Sequence, residues 1–522
     1  MLYRNVRFED LSLKEKIGQL FMCGFDGLEP TAGIKGLIQE YAIGGVIYFR
    51  RNLAHAKQTM QLSNKLQQEA RTPLFIAIDQ EGGMVVRLEE GVTVMPGAMA
   101  QGAAANRELT REAAKWSGAE LREIGINMNF APCMDVNNNP NNPVIGVRSY
   151  GENPEFVGEM GVAAIAGYKD SGVAAVAKHF PGHGDTAVDS HYALPVVAHS
   201  IDRLNQVELV PFRQAIQNQV DAIMTAHVVF PAYEPLEVPA TLSQRILTGL
   251  LRDQLGFEGV IVTDCLEMNA ISETIGVARG AVEAIKAGAD LILVSHRLDR
   301  QVAALEAVME AVMIGEITEA RIEEAALRIW KLKQARGLLL NALPNIDRDR
   351  AVAVANKLCE AAVTVIHGDP VIANSGKVVV IWTEARSGTE VIEVIPQQWT
   401  LGTALSAAGL DIVEVRIGIH TTEDERRASF AAVKHADTIV FASYDAMFSP
   451  KQSQLLRELA EIEHKRFLLV AMRTPYDGRG IEGLDSYICT YENKPMMVSA
   501  LANVMLGTIA PQGRAPITVI DQ

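Results

Sequence analysis

The chain lacks what would tie it to a membrane, a nucleic acid or an oxidising compartment. No run of about 18 apolar residues is present to span a bilayer. The first residues, MLYRNVRFEDLSLKEKIGQLF, carry charges every few positions where a secretory signal needs an apolar core. Cysteines number only five (Cys23, Cys133, Cys265, Cys359, Cys489), odd in count, scattered and without a CxxC pair, which favours buried free thiols in a reducing compartment. Basic residues form no stripe and do not alternate with aromatics, and the net charge of −15 disfavours a polyanionic partner. Internal repeats and low-complexity segments are also missing, and the C-terminal part has no glycine-rich phosphate loop. The expectation is a cytoplasmic protein with no nucleic-acid or membrane partner, monomer or dimer.

What remains is an ordinary globular composition, 48% apolar and 21% charged, over 522 residues, too long for one core and suited to two domains. From about Leu11 to Leu340, short apolar runs alternate with amphipathic helical stretches such as Leu53–Ala70, Arg107–Glu123 and Ile201–Gln217. The runs are Ile43–Phe49, Leu74–Ile78, Met128–Ala131, Val173–Ala177, Ile223–Thr225, Val260–Thr263 and Leu291–Val294. This alternation predicts an α/β fold, a parallel (β/α) barrel over residues 1–345. After the break NALPNIDRDR a second series follows, with runs at Val378–Trp382, Ile412–Val415, Thr438–Ala442 and Phe467–Ala471. It predicts a smaller doubly wound α/β domain over 346–522.

Polar residues gather where the barrel runs end. LFIAI is followed by Asp79, MNFA by Pro132 and Asp135, VAAVA by Lys178 and His179, IMT by His227, and VIVT by Asp264. A barrel brings strand carboxyl ends to one face, so residues far apart in sequence line one pocket. For any one of them, helix capping is an equal explanation, and for His227 so is a packed histidine bonded to a neighbour. His367, Asp369, His435 and His464 of the second domain stand isolated and read as structural.

The densest chemistry lies in KHFPGHGDTAVDSH, residues 178–191. Three accounts of this Gly/Pro-rich stretch are open. Its three His and two Asp offer metal ligands, though their spacing matches no common signature. Its polar groups can also satisfy one another in a structural loop, with His183 and Asp185 shaping the strap. In the third account Asp189, two residues from His191, orients that imidazole and raises its basicity, making it a proton donor near neutral pH. Asp264, at the end of a rigid strand, is then the candidate nucleophile. Lys178, Arg87 and Arg148 supply positive charge, and Asp79 a two-oxygen acceptor for paired hydroxyls. The set suits retaining glycoside hydrolysis with a His in place of the second carboxylic acid.

The same motifs resemble glycoside hydrolase family 3, in its two-domain, NagZ-type β-N-acetylglucosaminidase branch. They run almost the length of the chain: GGVIYFRRN (44–52), DQEGGMVVRL (79–88), NFAPCMDVNNNPNNPVIGVRSYG (129–151), KHFPGHGDTAVDSHYALP (178–195), IMTAHVVFPAY (223–233), PATLSQRILTGLLRDQLGFEGVIVTDCLEM (239–268) and PQGRAPITV (511–519). The resemblance implies a TIM-type (β/α)8 barrel followed by an αβα sandwich. It implies Asp264 as the nucleophile of a covalent glycosyl-enzyme, and His191 with Asp189 as the general acid/base. It implies that Asp79, Arg87, Arg148, Lys178 and His179 hold the first sugar, with no cofactor and no metal. Removal of terminal GlcNAc from peptidoglycan fragments or chitooligosaccharides is the implied activity. A phosphorylase using the same residues and a non-catalytic sugar-binding protein are the alternatives. Cys265 and Met268 read as buried filler beside the nucleophile.

Overall fold

Short apolar runs without polar alternation suit strands buried on both faces, as parallel sheets require. The computed structural model describes residues 6–187, 194–338, 346–373, 375–386, 397–463 and 465–519. Its first sheet has eight strands: β1 (Phe21–Cys23), β2 (Gly45–Tyr48), β3 (Phe75–Ile78), β4 (Met128–Asn129), β5 (Ala174–Phe180), β6 (Ala222–Thr225), β7 (Val260–Val262) and β8 (Ile292–Val294). Every residue in them is buried. The order β7-β6-β5-β4-β3-β2-β1-β8 is parallel throughout, and a parallel bridge from Val262 to Leu291 brings the two ends together. This is the expected barrel.

Three details differ from the sequence expectation. β1 is not announced by its apolar run, because QLFMCGF continues the apolar period of the preceding helix, Leu13–Gln19. β5 extends to Phe180, so Lys178 and His179 lie inside a strand rather than after one. The expected helix at Ile201–Gln217 is two, Ile201–Gln206 and Leu209–Gln217, broken where Glu208 turns to accept from Asn138 and Arg203.

Local chemistry sets the helix ends. Ser12 and Glu15 form a reciprocal capping box. Asn153 caps Pro154–Ser171, which carries Pro at its first position and ends on Gly172 at φ 79°. That helix packs so tightly on Arg107–Glu123 that a Cβ at Gly167 would stand 2.2 Å from the Arg111 carbonyl oxygen. Lys333 sits deep in the core: it is fully buried and donates to Gln19 Oε1 at 2.8 Å. Burial alone pulls its amine down to about 7.

The second sheet comprises β9 (Thr364–Gly368), β10 (Lys377–Glu384), β11 (Asp411–Gly418), β12 (Thr438–Ser443), β13 (Arg466–Ala471) and β14 (Ser486–Cys489). Its order is β11-β10-β12-β13-β14-β9, with only β9 antiparallel. β9 and β14 were not among the expected runs. Its core is continuous with Met84 and Val85 of the loop after β3, Met99 and Ala103 of the helix Ala98–Ala104, and Val147 of the short helix Gly146–Arg148, all from the barrel half. All five cysteines are buried and free. Among the described residues no helix is long and apolar enough to cross a membrane.

Candidate active site

The carboxyl ends of β3 and β5 are joined by an ion-pair network. Lys178 Nζ lies 2.7 Å from both Asp79 Oδ1 and Glu81 Oε1. The Arg148 guanidinium grips the Glu81 carboxylate in a fork, Nε to Oε2 at 3.0 Å and Nη2 to Oε1 at 2.8 Å. Arg87 stands 3.8 Å from the second oxygen of Asp79. Lys178, Glu81 and Arg148 are at most 6% exposed at the side chain, whereas Asp79 is 17% exposed. Burial pushes the Glu81 carboxyl up, but Arg148 and Lys178 outweigh it and hold the group well below the usual carboxylate range. Lys178 is the mirror case: burial lowers its amine, and Asp79 with Glu81 raises it further than burial lowers it. Two carboxylates and three cations are thus held against one another, as paired buried charges must be.

Behind this network Asp135 anchors the loop. Its carboxylate accepts from the backbone N–H of His179 and His183 and from the Cys133 thiol at 3.2 Å, and lies 2.7 Å from His179 Nδ1. Burial would raise Asp135, but the facing His179 and His183 hold it down to about 2. An ionised carboxylate only accepts and a guanidinium only donates. His179 therefore donates from Nδ1 to Asp135 and accepts at Nε2 from Arg148, 3.3 Å away. His183 bonds to Thr186, while Asn142 donates to the carbonyls of His183 and Gly184. Burial, then the neighbouring His179, pull the His183 imidazole down to about 4. His183 is thus a strap residue.

Asp189 and His191 lie outside the described residues. Both sides of their segment are anchored. Before it, Asp185 pairs with His199 at 2.5 Å. After it, Val197 N–H donates to the Val229 carbonyl, and Val229 N–H to that of Pro195.

Asp264 follows β7, half-buried, with Oδ1 accepting from its neighbour Cys265 N–H at 2.7 Å. His227 contacts this turn from below: its Nε2 meets the Cys265 carbonyl at 2.9 Å and its Nδ1 the Thr241 hydroxyl at 2.8 Å. The packed, bonded histidine is therefore the account of His227 that the structure supports. Cys265 and Met268 are both 8% exposed, buried as expected. The structure brings Asp79, Arg87, Arg148, Lys178 and His179 together and sets Asp264 on the same carboxyl face. Sequence reasoning passed over Glu81, the hub of the network. The signal that could have found it is its place in DQEGG, two residues after Asp79.

Among the described residues three clusters hold ligand atoms close enough for a cation: Cys133/Asp135/His179, Cys265/Glu267/His296 and Asp185/His199/Glu208. In each, protein donors already engage the carboxylates: those named above on Asp135, backbone N–H groups of His296 and Arg297 on Glu267, and Arg203 on Glu208.

Fold and site define a barrel enzyme with a companion sandwich domain. Residues 12–332 match the N-terminal domain of glycosyl hydrolase family 3. Beta-hexosaminidase A of Pseudoalteromonas piscicida is 32% identical over 92% of this chain and 90% of its own length. The structure of a family 3 β-N-acetylglucosaminidase from Paenibacillus sp. str. FPU-7 superposes with a TM-score of 0.95 at 49% identity, covering 98% of this chain and all of that one. The β-glucoside phosphorylase BglX bound to 2FGlc has a TM-score of 0.82 at 21% identity, covering 98% and 95%, a likeness of fold. The chain belongs to glycosyl hydrolase family 3 and is a glycoside hydrolase.

Proposed function

We propose that the protein is a retaining exo-β-N-acetylglucosaminidase that removes terminal GlcNAc from peptidoglycan fragments or chitooligosaccharides. The observation that carries this is the Asp79–Lys178–Glu81–Arg148 network on the same barrel face as Asp264, in a chain alike over its whole length to a β-N-acetylglucosaminidase. In this account Asp79, held by Lys178 and Arg87, accepts hydroxyls of the sugar. Arg148, Lys178 and His179 complete the subsite.

The Asp264 carboxylate attacks the anomeric carbon while His191, charged and paired with Asp189, gives its proton to the departing oxygen. The anomeric C–O bond breaks and an ester to Asp264 forms. Neutral His191 then takes a proton from water, the water oxygen attacks the anomeric carbon, and Asp264 leaves as a carboxylate. Inversion at each step returns the starting configuration. The domain division is placed at residue 345 and the compartment in the cytoplasm, in keeping with the buried free thiols.

The test is mass analysis of products from an aryl β-N-acetylglucosaminide, in buffer with and without phosphate. Free GlcNAc in both supports the hydrolase. GlcNAc-1-phosphate dominating in phosphate would assign a phosphorylase, and tight sugar binding without turnover a binding protein.

A further inference from the structure

The sandwich domain reaches the barrel at the loop that carries Glu81. This loop is folded on itself: Glu81 N–H donates to the Val85 carbonyl, Gly83 N–H to that of Met95, and Arg87 N–H to Gln80 Oε1. Its two limbs meet where Gly83 approaches Gly97, so closely that a Cβ on Gly83 would lie 2.7 Å from Gly97 N. Into that junction comes Glu492, from the turn after β14. It is 2% exposed, and its Oε2 accepts from Gly97 N–H at 2.7 Å. The same oxygen would stand 2.4 Å from a Cβ at Gly83, so the carboxylate occupies the space that glycine leaves open. Two residues on, Lys494 Nζ pairs with Glu89 of the loop's far limb at 2.6 Å. Met84 and Val85 at the loop's tip bury against the sandwich core.

We propose that Glu492 of the sandwich domain is a positioning residue for the sugar subsite: it pins Gly97 against Gly83 and so holds Glu81 between Lys178 and Arg148. The inference rests on Lys178, Arg148 and Asp79 being the sugar-binding groups. Glu492 is not itself in the sugar subsite; it acts through the loop, in which Glu81 is two residues from Gly83, the glycine against which Gly97 is held. The second domain then has a part in catalysis without lending a group to the reaction. Burial raises the Glu492 carboxyl to about 7, so the acid and its anion are close in energy there. Glutamine, the isostere of the acid, keeps the acceptor for Gly97 N–H.

The experiment uses the full chain and four variants: Glu492→Gln, Glu492→Ala, Glu492→Asp and, as a reference, Lys178→Ala. It reads kcat and KM on an aryl β-N-acetylglucosaminide and the affinity for GlcNAc by calorimetry. Glu492→Ala should raise KM and weaken GlcNAc binding about tenfold, with kcat falling less, while Glu492→Gln stays within about threefold of the parent. Glu492→Asp withdraws the oxygen by one methylene and should behave as Ala does, which keeps the test intact if the Ala variant does not fold. GlcNAc affinity unchanged in the Ala and Asp variants, even with a lower melting temperature, would reduce Glu492 to a domain-docking residue and overturn the proposal. Unchanged affinity in Lys178→Ala would instead overturn the sugar-site assignment beneath it.

Discussion

Glu81→Gln is the substitution that separates a charge-balanced pocket from a merely polar one. The two side chains have nearly the same shape, so packing is kept and one negative charge is removed. Glu81 takes two hydrogen bonds from Arg148 and an ion pair from Lys178, all from side chains at most 6% exposed. Removing one partner of a buried pair costs about 3–5 kcal/mol, because the remaining charge stays out of water. With an unfolding entropy of about 2.1 cal/mol/K per residue over roughly 320 barrel residues, 4 kcal/mol is a melting-point drop of about 6 °C. Freed from Glu81, Lys178 collapses onto Asp79 and Arg148 loses its fork, so kcat/KM should fall by about 100-fold or more. The sign with pH follows from the depressed Glu81 carboxyl. Its contribution is complete above the unfolded value of 4.5 and is lost as pH falls through the lower folded value. The parent's advantage over Glu81→Gln is therefore full at neutral pH and shrinks in acid. Differential scanning calorimetry at neutral and acid pH, with steady-state kinetics, reads both effects. A variant melting within about 1 °C of the parent, with kcat/KM within about threefold, would refute the reasoning.

Other expected outcomes follow from single contacts. Lys333 binds fewer protons folded than unfolded between about 7 and 10.5, so it makes stability rise with pH there, by up to about 1.4 kcal/mol per pH unit. Urea midpoints at about pH 7 and 8.5 should rise in the parent relative to Lys333→Met, and parallel behaviour would contradict the burial account. His227→Ala frees the Cys265 carbonyl beside Asp264, so kcat should fall roughly 10–100-fold while competitive inhibition by GlcNAc is kept. Equal losses in both would make His227 part of the sugar pocket. His191→Ala should hurt natural oligosaccharides far more than aryl glycosides whose leaving groups need little protonation. Equal losses on the two substrates would argue against its acid role.

The barrel was legible because a parallel strand buried on both faces is a short apolar run, and seven of the eight strands stand out that way. β1 escaped because three apolar residues directly after an amphipathic helix share its period. The sandwich strands β9 and β14 were passed over too. The one at the sheet edge, β9, has two exposed positions and loses the uniform apolar run. Candidate groups were visible at strand ends, yet their connections were not. Glu81 reads as one acid in DQEGG until folding sets Lys178 and Arg148, about 100 and 70 positions away, on its two oxygens. Glu492 shows the limit more sharply: nothing in TYENKP links it to Gly97, because only the docking of the two domains makes that contact.

The most direct test of the central claim is the configuration of the first product. Asp264 acting as a nucleophile, with a second displacement by water, requires net retention. Proton NMR during the first minutes of hydrolysis of an aryl β-N-acetylglucosaminide should show β-GlcNAc first, with the α-anomer growing in only by mutarotation. Initial release of α-GlcNAc would contradict the covalent mechanism and remove Asp264 from its assigned role.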